Sequence, residues 1–156
     1  MSATAVKKTQ MLVIGYGNPG RGDDAAGWRV AERIEELWGD RVETVTLHQL
    51  DVVLAERIAG CDLVVFVDAE ASNEPIGKSP TRLYPTAELQ DVGHTLNPET
   101  ILGLGKTLYQ AEPEAYLVTI AAHNFNFGEP LSAETEQDCT RAATDIEGLL
   151  KVLTHP

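Results

Sequence analysis

The sequence predicts an α/β fold: a three-layer sandwich with a mostly parallel, twisted sheet of about five strands and helices on both faces. Three observations lead there. Short apolar runs at 11–15 and 63–67, stopped by glycine or aspartate, have the pattern of strands covered on both faces. Between the runs lie stretches with apolar residues at helical spacing. The order is strand, helix, strand, helix, strand, then a looser insert and a final helix, strand, helix. Such alternation calls for crossover connections and a parallel sheet.

Each element has its own signal. The run 11–15 ends at Gly15. The segment 24–38 is helical, with Trp28, Val30, Ala31, Ile34 and Leu37 on one face and Arg29, Glu32, Arg33 and Glu36 pointing away. Gly39-Asp40 stops it. Residues 42–47 alternate and favour β-branched side chains, giving a second strand. Asp51 is placed to cap a helix over 52–58, which Gly60 ends. The third strand, 63–67, ends at Asp68. Pro75, Gly77 and Pro80 then break the pattern, and 81–84 reads as a short edge strand. An irregular loop over 90–95 precedes Asn97 and Pro98, the cap and first position of another helix. Residues 117–121 form a last core strand and 123–130 a loop. Ser132, Glu134 and Glu136 open a final helix that reaches about Leu153.

At 156 residues the chain is expected to be a single domain over 1–156, with 1–10 a flexible N-terminal extension. Hydrophobic residues make up 43% and charged residues 23%, values that exclude disorder as the default. Twelve basic against twenty-four acidic residues give a formal charge of −12. That balance excludes a general affinity for nucleic acid or anionic membranes, which select basic patches. Cys61 and Cys139 form no close-spaced motif and are expected to be unpaired in a reducing compartment. The first ten residues lack the apolar segment of a secretory leader, and no apolar run has the length of a membrane span. The expected localisation is cytoplasmic.

The most informative stretch is 11–27: a strand, a glycine-rich turn, and a helix start carrying Asp23 and Asp24. A glycine turn feeding a helix normally holds an anion, because free N–H groups and the helix dipole favour negative charge there. Here the chain places its own acids in that position, which repel a phosphate and invite a cation. Asp24 after the first strand, Asp68 after the third and His94 before the Pro98 helix all fall where such sheets build their sites. Two carboxylates and an imidazole form a donor set for a divalent transition ion. Taken singly, each has a plainer reading: Asp24 as a dipole-complementing acid, Asp68 as a turn former, His94 as a loop histidine. Gly15, Gly17 and Gly20 also satisfy the dinucleotide fingerprint, but His48-Gln49-Leu50 stands where that site expects a ribose-binding acid. The turn from Gly17 to Gly20 is also similar to that of peptidyl-tRNA hydrolases, although Arg21-Gly-Asp-Asp24 replaces the run that follows in that family.

The blocks Gly15-Tyr-Gly-Asn-Pro-Gly-Arg-Gly-Asp-Asp-Ala-Ala-Gly27, Asp62-Leu-Val-Val-Phe-Val-Asp-Ala69 and Gly93-His-Thr-Leu-Asn-Pro98 resemble, in order, the hydrogenase maturation endopeptidases. The likeness runs from about Met11 to Ser132 and includes Leu117-Val-Thr-Ile120 and Phe127-Gly-Glu-Pro-Leu-Ser132. That family processes the large subunit of nickel–iron (NiFe) hydrogenases. The resemblance implies a nickel-recognising endopeptidase that removes a C-terminal extension from the large-subunit precursor after nickel insertion. Asp24, Asp68 and His94 match its metal-contacting positions, with Asp where the family accepts Glu or Asp. The nickel is then supplied by the precursor, which is the partner, with neither nucleic acid nor membrane involved.

Around these positions, Asp23 is a candidate acid near the scissile peptide, and His48, Gln49 and His123 are candidate substrate-binding residues. Glu70 and Asn124 are candidate wall residues. Ser72, Ser79 and Ser132 lack a nucleophile-elbow context, and the His-Glu-x-x-His motif is absent. Two alternatives remain open at this point: a hydrolase of the peptidyl-tRNA type, and a non-enzymatic nickel-sensing module using the same ligands.

Overall fold

The computed structural model describes residues 9–87 and 96–154. Residues 1–8 of the expected extension, the expected loop at 90–95 and His94 lie outside the described residues. The strands are β1 (Met11–Tyr16), β2 (Glu43–Leu47), β3 (Leu63–Ala71), β4 (Thr81–Leu83) and β5 (Glu114–Ala122). The helices are α1 (Ala26–Trp38), α2 (Leu54–Ala59), α3 (Pro98–Tyr109) and α4 (Ala133–Thr154). The sheet order is β2-β1-β3-β5-β4, parallel except for β4, which pairs antiparallel with β5.

Alternation along the strands builds two cores. Val13, Val65, Val67, Val118 and Ile120 face α1 and α4. Leu12, Ile14, Val64 and Phe66 face the opposite way, toward α2 and α3. Both sides of each central strand are therefore dry, which explains the unbroken apolar runs. Burying each of these side chains fully contributes about 1.5–3 kcal/mol before entropy is counted. The three-layer α/β sandwich expected from sequence is the fold observed.

Several boundaries differ from expectation, each for a local reason. Asp23 and Asp24 belong to a 3-10 turn, Gly22–Ala25, that precedes α1. The buried stripe of α1 is Ala26, Val30, Ala31, Ile34 and Trp38, so Leu37 falls off it and is 49% exposed. Asp51 does not cap α2 directly. Its side chain accepts from the Val53 N–H (3.0 Å) and its carbonyl from the Leu54 N–H (3.0 Å), forming a turn that delays the helix to Leu54. Strand β3 does not stop at Asp68; its pairing with β5 continues through Ala71 opposite Ala122. Asn97 caps α3 as expected, its side chain accepting from the Thr100 N–H at 2.8 Å. Cys61 and Cys139 are both free thiols, the second fully buried. Among the described residues no helix is long and apolar enough to cross a membrane.

Candidate functional site

The strand order reverses at β1, which has β2 on one side and β3 on the other. The crevice beyond the carboxyl ends of these strands is where an open α/β sheet gathers ligands. The glycine turn after β1 lies there and is folded on itself. Asn18 N–H donates to the Asp24 carboxylate (2.7 Å) and Gly20 N–H to the Asn18 side chain (2.8 Å). Gly17, Arg21, Asp23 and Asp24 donate to the carbonyls of Leu47, Asn18, Asn124 and Arg21. With these donors engaged, the turn offers no cradle for a phosphate, and the dinucleotide reading of its glycines loses its physical basis. Gly17 has φ +141°, and a Cβ there would strike the Asp24 carbonyl, so the turn that presents Asp24 requires glycine at this position.

Asp68 sits on β3 one residue past the last β1–β3 pair, Gly15–Val67, which sets it across from Tyr16. Both side chains lie on the α2/α3 side of the sheet, because Phe66 and Ile14 two residues earlier pack there. Burial pushes the Asp68 carboxyl up to about 6, and the charge of Asp24 adds to the rise. The Ala69 N–H and the Tyr16 hydroxyl pull it the other way. Burial, and then the charge of Asp68, raise the Tyr16 phenol far enough that it stays protonated and serves as a donor. Glu99, in the first turn of α3, also acts on Tyr16, so the start of α3 borders the same crevice. Asp24 and Asp68 are thus brought together. Among the described residues neither has a Lys or Arg partner, and no three His, Cys, Asp or Glu side chains gather closely enough to hold a metal.

No family model and no curated protein matches the chain. Solved structures do. A NiFe hydrogenase maturation protease, HycI, from Thermococcus kodakarensis KOD1 is 30% identical with a TM-score of 0.70, the match covering 92% of this chain and 94% of that one. The chain belongs to the NiFe hydrogenase maturation protease family. The hydrogenase maturating endopeptidase HybD from E. coli shares the fold at 21% identity and a TM-score of 0.68, over 92% of this chain and 93% of that one. So does HybD from Thermococcus kodakarensis, at 21% identity and a TM-score of 0.65, over 92% and 100%. Family membership makes this a protease fold and displaces the peptidyl-tRNA hydrolase reading of the turn.

In this maturation protease fold Asp23 and Asp24 have opposite surroundings. Asp23 is fully buried, and its carboxylate accepts from Ser132 N (2.7 Å), Ser132 Oγ (2.9 Å), His123 N (2.7 Å) and Asn124 N (3.0 Å). Burial alone would raise its pKa; the donors from Ser132, His123 and Thr135 outweigh that and hold the carboxyl below the usual range. Asp23 therefore fastens the glycine turn to the 123–132 loop. Both its oxygens accept from the protein and the side chain has no exposed surface, so it is shielded from a substrate.

The other expected residues divide between the crevice rim and the scaffold. His48 and Gln49 follow β2 directly and are exposed. His48 packs edge-on against Trp28, with centroids 5.6 Å apart, and the Trp28 indole donates to Leu47 O (2.9 Å), so both residues are fixed beside the turn. The His123 ring is directed at α4, with Nε2 3.4 Å from the Glu134 carboxylate. Asn124 closes a local turn onto Asn126 N–H (2.9 Å), and Glu70 is exposed and pairs with Lys78. Tyr16 escaped the sequence reading, although the register of two apolar strands ending in Tyr16 and Asp68 carried the signal.

Proposed function

We propose that this chain is a nickel-recognising endopeptidase that removes the C-terminal extension of a NiFe-hydrogenase large-subunit precursor after nickel insertion. The observation that carries this reading is the convergence of Asp24 and Asp68 at the switch point of a maturation protease fold, without a counter-cation among the described residues. Two carboxylates so placed repel each other, and a divalent ion relieves that repulsion. His94 is the proposed third ligand. It precedes the α3 cap Asn97 by three residues, about 10 Å of extended chain, and the first turn of α3 acts on Tyr16.

In this reading the nickel belongs to the substrate. Asp24, Asp68 and His94 add ligands to an ion already held by precursor cysteines, so a nickel-free precursor has nothing to bridge the two proteins. The ion offers Lewis-acid polarisation of a neighbouring carbonyl. The protein's own residues do the rest. Tyr16 orients Asp68 by donating to it, and Asp23 positions the turn that carries Asp24 without touching substrate. Holding the precursor through its metal fixes the scissile peptide against the rim, replacing a bimolecular search by an oriented contact.

The test incubates purified protein with nickel-loaded and nickel-free precursor and weighs the products by mass spectrometry. Shortening is expected only with nickel and is expected to vanish in Asp24→Asn and His94→Ala. Equal cleavage of nickel-free precursor, or full cleavage by both variants, overturns the proposal. Stoichiometric binding without shortening would assign the chain to the non-enzymatic, nickel-sensing class instead.

A further inference from the structure

The sheet has two edges, and they differ. At one, β4 is three residues long and antiparallel; at the other, β2 runs five residues in unbroken register with β1. The Leu47 carbonyl turns inward to take the Gly17 N–H at 3.0 Å. By alternation along a parallel strand, Thr44 and Thr46 then direct their N–H and C=O groups outward, away from β1. Among the described residues these backbone groups have no backbone partner outside the strand. Natural proteins blunt such an edge with charged side chains, above all lysine, with proline or with a bulge, and the one charge on this strand, Glu43, is drawn onto Arg57. The strand Glu43-Thr-Val-Thr-Leu47 has no lysine, proline or bulge.

Beside this edge, between β2 and α2, lies a groove of about 310 Å³ lined by Val45, Leu47, Asp51, Val53, Leu54 and Arg57. Its wall is apolar at an exposed place, with Val53 69% accessible. Arg57 is engaged with Glu43 across the lower end, so the groove presents chiefly aliphatic surface. Its upper end opens at Leu47, the residue that joins β2 to the glycine turn and to Trp28.

We infer that the outer edge of β2, unpaired among the described residues, docks the C-terminal extension of the precursor as an added strand, with alternate apolar side chains lying in the β2–α2 groove. The inference rests on the function proposed above, and chain order sets its polarity. The nickel-holding part of the precursor precedes the extension, so the extension leaves the crevice at the carboxyl end of β2 and runs antiparallel to that strand. From β3, which carries Asp68, to a strand added outside β2 is three strand spacings, about 14 Å. About four extended residues cross that distance and about five more lie along β2. Main-chain hydrogen bonds then supply affinity, and the groove reads alternate side chains. A second copy of this chain is the poorer occupant. A stable dimer buries about 800 Å² on each partner through 20–30 residues, and this strip offers one short strand and six lining residues.

The deciding measurement is the steady-state kinetics of nickel-loaded precursor with the full-length protein and its Val53→Asp and Thr46→Pro variants. Strand addition predicts a KM raised at least tenfold with kcat within twofold. Val53 is mostly exposed, so Val53→Asp keeps the fold even if Thr46→Pro disturbs the sheet. A fluorescein-labelled synthetic peptide of the extension, followed by anisotropy, should bind wild type and Asp68→Asn alike and bind Val53→Asp at least tenfold more weakly. An unchanged KM in Val53→Asp, or no peptide binding by wild type below about 1 mM, overturns the inference and leaves the proposed function standing. A concentration-dependent dimer dissolved by Val53→Asp would make a second copy the occupant and overturn it too. Failure of wild type to cleave loaded precursor strikes the proposed function instead, while the peptide still reports on the edge.

Discussion

Asp68→Asn should stabilise the protein while stopping its chemistry. The Asp68 carboxyl, ordinarily at 3.8, stands at about 6 in the fold because it is buried and faces Asp24. The folded state therefore holds this proton more tightly than the unfolded chain does. Its contribution to stability is fully present below about pH 4 and is lost as pH rises through about 6. The displacement is roughly two pH units, worth about 3 kcal/mol at 1.36 kcal/mol each. Asp68 is only half-buried, so screening by solvent reduces this to about 1–2 kcal/mol. Asparagine removes the charge and keeps a partner for Tyr16. For a chain of this size the variant should melt about 2–8 °C above wild type at pH 7.5, with the gap closing toward pH 4.5. Differential scanning fluorimetry of both proteins across that range reads the difference, in which the titrations of other carboxylates cancel. A variant less stable than wild type at pH 7.5, or a gap that does not change with pH, would refute the electrostatic account of the site. Loss of precursor cleavage in the same variant would show that this instability is kept for function.

Tyr16→Phe removes a donor that holds the Asp68 carboxyl down, so that carboxyl should rise further and the acid limb of the pH–rate profile should move to higher pH; an unmoved limb would remove Tyr16 from the site. Asp23→Ala strands four donors in a fully buried place and should cost about 3 kcal/mol or more in urea unfolding. Because Asp23 is held below its usual range, its stabilisation is present above that range and fades as pH falls through it. A small loss in this variant would mean the 123–132 loop is anchored elsewhere. His48→Ala and His123→Ala should reduce precursor cleavage less than Asp24→Asn or His94→Ala, and an equal loss in a cleavage assay would relocate the crevice.

Much of the fold was legible because local and tertiary signals agreed. Strands β1 and β3 read as continuous apolar runs because both faces of the sheet are covered, and Asn97-Pro98 states the start of α3 in two residues. Expectation failed where tertiary contacts set the boundary. The extension of β3 past Asp68 depends on β5 pairing as far as Ala122, a contact between segments fifty residues apart. Leu37 has the right spacing for α1 but falls off the stripe that the neighbouring sheet and α4 select. At the site, glycines and acids in one turn pointed to Asp24. Nothing local separated its role from that of Asp23, since the donors that occupy Asp23 come from residues a hundred positions away.

A second buried acid makes the same distinction. Asp138, on α4, accepts from Gly77 N (2.7 Å), Ala121 N (2.8 Å) and the Arg141 guanidinium (2.8 Å), which together hold it below the ordinary carboxylate range despite burial. Like Asp23 it joins distant segments, and its negative charge is matched by donors on every side. Asp68 is not so matched. Its carboxyl is driven upward by burial and by Asp24, and its principal side-chain donor is a neutral phenol. Two acids are satisfied by the protein itself, and two are brought together with their repulsion unrelieved. Folding alone gains nothing from the second arrangement, because an amide at Asp68 would pack as well at lower electrostatic cost. On the function proposed above, the positive partner of this unrelieved pair comes from outside the chain.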